Sequence, residues 1–133
     1  MHLRLAPGVH RLRSRASTAE ALAHLALVGW SARVVDLTTV TDKAGVLDAF
    51  GAGLLFPEWV GRNWDALSDA LRDLSWWQSG ERGRAIIVAG AGRLDPGLEP
   101  DWHILCDILQ EAADRWRTTP APLGVLVRGR PVG

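Results

Sequence analysis

The chain has 133 residues, 47% of them hydrophobic, enough for one core that takes roughly two-thirds of the unfolded surface out of water and too few for two comfortable domains. Fifteen basic residues balance fifteen acidic ones, so no global field draws the protein to nucleic acid or to an anionic membrane, and electrostatic function must rest on local patches. Cys106 is the only cysteine, which excludes an intrachain disulfide and a cysteine-cluster metal site and points to a reducing cytoplasm; no apolar run reaches the roughly 18 residues of a membrane span, and no export signal is expected.

Arg4, Arg11, Arg13 and Arg15 make the start of the chain basic, and Val9-His10-Arg11-Leu12 within it reads as a short strand at a sheet edge. Ser17 with Glu20 three residues on is a capping box, and the alanine- and leucine-rich composition of residues 19–27 predicts a helix that stops at Gly29. Residues 32–37 predict a mostly buried strand. Thr41 or Asp42 then opens a second helix through Val46, Leu47 and Phe50, which Gly51 and Gly53 should end.

The stretch from Phe56 to Trp77 carries the clearest pattern. Pro57 and Gly61 punctuate a loop, and Asn63 is placed to accept a bond from a free N–H of the following first helical turn. Trp64, Leu67, Leu71 and Leu74 form a stripe that packs inward, while Asp65, Asp69 and Asp73 recur every four residues on another face. Like charges at that spacing cost an isolated helix roughly 0.2–0.5 kcal/mol per pair, so the row is not a stability device. Two readings stand side by side: a surface that meets a cationic partner, or a solvated face offset by Arg62 and Arg72. Trp59 likewise either lies on the surface or tucks into the core.

Residues 84–89 are a β-branched run bounded by glycines and predict a central strand. A loop with Gly90, Gly92, Pro96, Gly97 and Pro100 precedes a long helix over 101–117, acidic at its start and basic at its end, with Leu105, Ile108, Leu109, Ala112 and Trp116 facing inward. The last strand is expected at 123–128. Strands alternating with helices imply an α/β fold with a mostly parallel sheet and right-handed crossovers.

Other chemistry finds little support. Gly90 and Gly92 after a strand suggest a dinucleotide loop, yet no third glycine follows in register, and the prolines keep a helix from opening at the loop. His103, Cys106 and Asp107 share a helix face, but a structural zinc site needs four ligands in paired spacings. No serine or cysteine occupies a nucleophile motif. Neither cofactor, metal nor catalysis is expected.

The run Phe56-Pro57-Glu58-Trp59, followed by Gly61, Asn63, Asp65-Ala66-Leu67 and Asp69, resembles the signature of the barstar family, small intracellular inhibitors of barnase-type ribonucleases, and the flanking chain agrees in element order from about Arg33 to Arg128. The resemblance implies a small three-stranded parallel sheet, here from the strands at 32–37, 84–89 and 123–128, with helices packed around it. The first thirty residues would then be an added strand and helix on the same core, within one domain spanning 1–133. It also implies a one-to-one complex with a ribonuclease and no direct contact with nucleic acid. Asp69 would be the carboxylate that enters the enzyme's phosphate site, and Asp65 would make a second charged contact. Trp59 would lie on the active-site rim, Gly61 would let the loop backbone come close, and Asn63 would set the helix start. Glu111 matches a further carboxylate of the family, although Arg115 at i+4 could simply pair with it. Arg62 and Ser68 depart from the family pattern: the arginine would repel a basic cleft, and Ser68 removes contact area between the two aspartates. A barstar-like module with a non-nuclease partner is the alternative, and a nucleotide-binding protein using the Gly90 loop is a more distant one.

Overall fold

The computed structural model describes residues 4–132. In chain order these form β1 (Gly8–Leu12), α1 (Thr18–Leu27), β2 (Trp30–Asp36), α2 (Lys43–Gly53), α3 (Trp64–Asp73), β3 (Gly83–Ala89), α4 (Glu99–Trp116) and β4 (Leu123–Arg128). Two short 3-10 turns over Ala91–Arg93 and Pro96–Leu98 lead into α4.

The three strands expected from the sequence are adjacent and parallel, but the sheet has four strands rather than three, in the order β1-β4-β3-β2. Gly8 to Leu12 pairs in parallel with Gly124 to Arg128. The physical reason lies in β4. Without β1 its outer edge would present unpaired N–H and C=O groups along a strand whose side chains are nearly all buried, and Val9 also adds to the core beneath it. The basic start of the chain is thus structural as well as charged.

Period-two alternation divides the sheet between two cores. Val35, Ile86, Val88, Val125 and Val127 face the larger one with residues of α2, α3 and α4. Leu12, Ala85, Ile87 and Leu126 face the smaller one, which Ala21 and Leu25 of α1 cover.

Packing and chain geometry decide three local features. The second helix ends at Gly53, as its glycines lead one to expect, and a glycine is needed there because a Cβ on Gly53 would sit 2.3 Å from the Val34 carbonyl oxygen. The glycine lets helix and strand approach, and that gain outweighs its poor helix propensity. The long helix begins at Glu99, with Pro100 in its first turn, where a missing N–H costs nothing. Gly90 adopts a left-handed φ of 75°, and a Cβ there would meet the Thr38 backbone nitrogen at 2.6 Å; its bareness serves close packing rather than an open phosphate cradle.

Candidate functional site

The loop between α2 and α3 starts from a tight helix end. Phe56 N–H donates to the Gly51 carbonyl at 2.9 Å while Leu55 holds a left-handed φ of 56°, a Schellman-type turn built on a leucine instead of a glycine. That conformation costs a non-glycine residue about 1–2 kcal/mol, and the Leu55 side chain is 64% exposed. The turn directs the chain past Trp59, whose side chain does not tuck into the core: it is 69% exposed and stands edge-on to Trp76, centroids 6.3 Å apart. Phe56 meets the same indole edge-on at 5.4 Å.

At the start of α3, Asn63 Oδ1 accepts from the Ala66 N–H at 2.7 Å, which is the cap expected from its position. Gly61 is not demanded by the fold. Its φ lies outside the left-handed region, and an added Cβ would make only ordinary contacts at 3.4 and 3.5 Å with Ala66 and Asn63. Leu67, Ala70 and Leu71 are buried beneath the helix and Trp64 packs against the same core, leaving Asp65, Asp69 and Asp73 exposed in one row.

The charges of this row are unequally matched. Asp69 pairs with Arg72 at 2.6 Å, with the Asp69 side chain still 73% exposed. Asp73 accepts from the Ser75 hydroxyl at 2.8 Å. Asp65 has neither an ion pair nor a side-chain hydrogen bond among the described residues. Arg62 turns away from Asp65 and grips Asp48 of α2 through two nitrogens, at 2.6 and 2.7 Å, so its charge is matched at home and the loop is fastened to α2. Ser68 is half-buried between the two aspartates, and its carbonyl accepts a long 3.4 Å bond from Arg72 Nε.

Glu111 is exposed on α4 and forms no ion pair with Arg115 among the described residues. Arg115 instead lines a shallow depression with Asp69, Arg72 and Asp73, which brings a cation of α4 to the foot of the acidic row. Sequence reading did not anticipate that neighbour, since helix packing rather than local spacing sets it.

Behind this surface lies a set of donors that end on main-chain oxygens. Trp116 Nε1 donates to the Leu71 carbonyl at 2.8 Å and Trp76 Nε1 to the Leu54 carbonyl at 3.0 Å. Arg33 reaches the same Leu54 oxygen at 2.7 Å and stacks over Trp77 at 4.7 Å. Arg84 donates to the Trp77 carbonyl at 2.6 Å and to the Leu74 carbonyl at 3.3 Å, with its guanidinium over Trp116 at 5.2 Å. Burial pulls Arg33 below the usual arginine range; burial, and then the nearby Arg33 charge, does the same to Arg84. Both stay cationic, since arginine starts so high. Arg84 therefore sets a positive charge just past the end of α3, where it donates to the open carbonyl of the C-cap Leu74 and complements the helix dipole. The two arginines and the carbonyl partners of the indoles escaped sequence reading; the visible signal was an arginine within each of two apolar strands, together with the four tryptophans of the 56–77 stretch and Trp116 at the end of α4.

Among the described residues no three His, Cys, Asp or Glu side chains are grouped to hold a metal ion; Cys106 is buried in the core, and His103 lies 3.1 Å from Glu99. No helix among them is long and apolar enough to cross a membrane.

The arrangement is an exposed indole, a bare glycine, then carboxylates at one-turn intervals on a helix whose inner face is buried and whose main-chain oxygens accept bonds from behind. It has the elements for placing negative charge at fixed positions in a cationic cleft. A family model described as Barstar (barnase inhibitor) matches residues 30–128, a span holding β2 to β4 and the whole acidic segment. Neither among curated proteins nor among solved structures does anything match the chain.

Proposed function

The chain belongs to the barstar family, and from that premise we propose that it inhibits a barnase-type ribonuclease by seating α3 and the preceding loop in the enzyme's active site, one molecule to one. The carrying observation is the exposed row of Asp65, Asp69 and Asp73 on a helix whose other face is buried and whose carbonyls are tied down. An enzyme that binds RNA phosphates offers guanidinium, ammonium and imidazole donors, and carboxylates held on a fixed helix substitute for the phosphates without ordering a flexible segment at the moment of binding.

In this reading Asp69 enters the phosphate site. To do so it exchanges its pair with Arg72 for the enzyme's cations, and the exposure of that pair keeps the exchange inexpensive. Asp65, which has no partner among the described residues, supplies a second contact. Trp59 lies flat on the rim as the aromatic anchor, a part suited to a large side chain with few rotatable bonds. Gly61 admits the enzyme close to the loop backbone, Asn63 fixes where the helix starts, Ser68 leaves a shallow gap between the aspartates, and Glu111 adds negative potential from α4. The β1 and α1 extension outside the matched span belongs to the same domain, a reading supported by the pairing of β1 with β4. The protein acts in the cytoplasm, where it would protect its own cell from a nuclease.

The test is a titration into several barnase-type ribonucleases with RNA hydrolysis as the readout. Inhibition should saturate at one equivalent for at least one of them. Asp69→Ala should weaken it by about 100-fold, because truncating one partner of a desolvated charge pair costs about 2–5 kcal/mol or more, a magnitude drawn partly from the barnase–barstar complex itself, while circular dichroism stays unchanged. Full nuclease activity at large molar excess across the set would turn the assignment toward a family module with a non-nuclease partner.

A further inference from the structure

A parallel sheet of four strands has two edges, and here they are treated differently. Along β2, Gly53 of α2 lies so close that an added Cβ would come within 2.3 Å of the Val34 oxygen, and a Cβ on Gly80 would come within 2.8 Å of the Ser31 nitrogen. That edge is covered. Along β1, no backbone hydrogen bond engages residues 8–12 among the described residues other than the ladder with β4. The outer side of β1 is open.

The surroundings of that edge are cationic and partly apolar. Arg4, Arg11, Arg13 and Arg15 are exposed, and none has an ion-pair partner among the described residues. α1 packs mainly on β2 and β3 and meets the β1–β4 half of that face only where Ala21 and Leu25 reach the core that holds the buried Leu12 and Leu126. On that half a groove of about 300 Å3 runs between Arg4, His10, Arg11 and Arg13, with Leu12 and Leu126 on its wall. Arg11 and Arg13 are two residues apart, the repeat at which an extended chain shows alternate side chains on one side.

We infer that the open edge of β1 is a second protein-binding surface, one that takes an acidic segment in extended conformation as an added strand. The strand's free N–H and C=O groups need both acceptors and donors, which a peptide backbone supplies and a phosphate chain does not. Carboxylates on alternate residues would meet the arginines, and the intervening apolar side chains would enter the groove. The surface is separate from the acidic row on α3, so either can be tested without the other.

A fluorescein-labelled peptide of about twelve residues alternating Glu and Val is the probe, with a Lys and Val peptide of equal length and a single-stranded RNA of similar length as comparators. The Glu and Val peptide should bind at least about tenfold more tightly than either comparator and should slow amide exchange across residues 8–12 while leaving α3 unchanged. The double variant Arg11→Gln, Arg13→Gln should lose several-fold to about tenfold in affinity, the scale of two exposed charge pairs, and the neutral glutamines guard against misfolding by charge reversal. Equal binding of the two peptides, tighter binding of the RNA, or unaltered exchange at β1 would overturn the inference and leave the arginines as guards that keep the edge from pairing.

Discussion

The acidic segment around α3 and the basic strand at the start of the chain are both exposed and both charged, but they hold their charge in opposite ways. In the first, indole and guanidinium donors close the main-chain oxygens of Leu54, Leu71, Leu74 and Trp77 from behind, so the carboxylates stand at spacings set before any partner arrives. In the second, the arginines lack ion-pair partners among the described residues and the strand keeps one side of its backbone unbonded. A surface of the first kind suits a rigid partner with its own fixed cations; one of the second kind suits a partner that orders itself on contact.

The sharpest way to break this contrast is to remove what lies under each region. Leu71→Ala empties a fully buried position beneath α3 and should cost about 2–5 kcal/mol in denaturant unfolding, whereas Val9→Ala, on the half-buried underside of β1, should cost no more than about 1 kcal/mol. Equal costs would mean that the two regions are anchored alike. Next comes Arg84→Leu, which strips the cation from the end of α3. A loss of about 1–3 kcal/mol is expected, with faster amide exchange over α3 and none at β1. Unchanged exchange in α3 would show that packing alone fixes the helix. Asn63→Ala should cost about 1 kcal/mol, or about 2–8 °C in Tm, and weaken inhibition with it, because the cap sets the position of Asp65 and Asp69.

The smallest effect lies outside both regions and serves as their control. Asp36 accepts from the Thr38 hydroxyl at 2.5 Å and from its backbone N–H at 2.9 Å, and these bonds, the hydroxyl first, hold its carboxyl below the usual range. The folded-state value is thus lower than the unfolded one, so the stabilisation is present above about pH 4 and disappears as pH falls through the lowered folded value. Asp36→Ala should lose under about 1 kcal/mol at pH 7, and urea titrations of variant and parent should converge in acid. A gap that persists at low pH would point to lost packing instead of the carboxylate.

How much of this was legible in the chain follows from the range of each interaction. The Asn63 cap, the inward stripe of α3 and the exposed aspartates are short-range patterns, and reading them required only spacing. The Asp69–Arg72 pair, three residues apart, belongs with them. The Arg62–Asp48 grip spans fourteen positions and crosses from a loop to α2, so no local rule could place it. The fourth strand shows the same limit: residues 8–12 could be read as a short edge strand, but its neighbour lies more than a hundred residues away. Gly51 and Gly53 marked the end of α2 correctly, but the close approach of α2 to Val34 that makes a glycine necessary at position 53 is long-range and could not be read from the chain.

Because the donors behind the acidic segment end on carbonyl oxygens, which every residue type supplies, the shape of that segment is independent of the side chains it displays. Positions 59, 65, 68 and 69 are therefore free to drift under selection while the scaffold stays put, and a lineage could retarget itself to a new partner by outward substitutions alone, without passing through a misfolded intermediate.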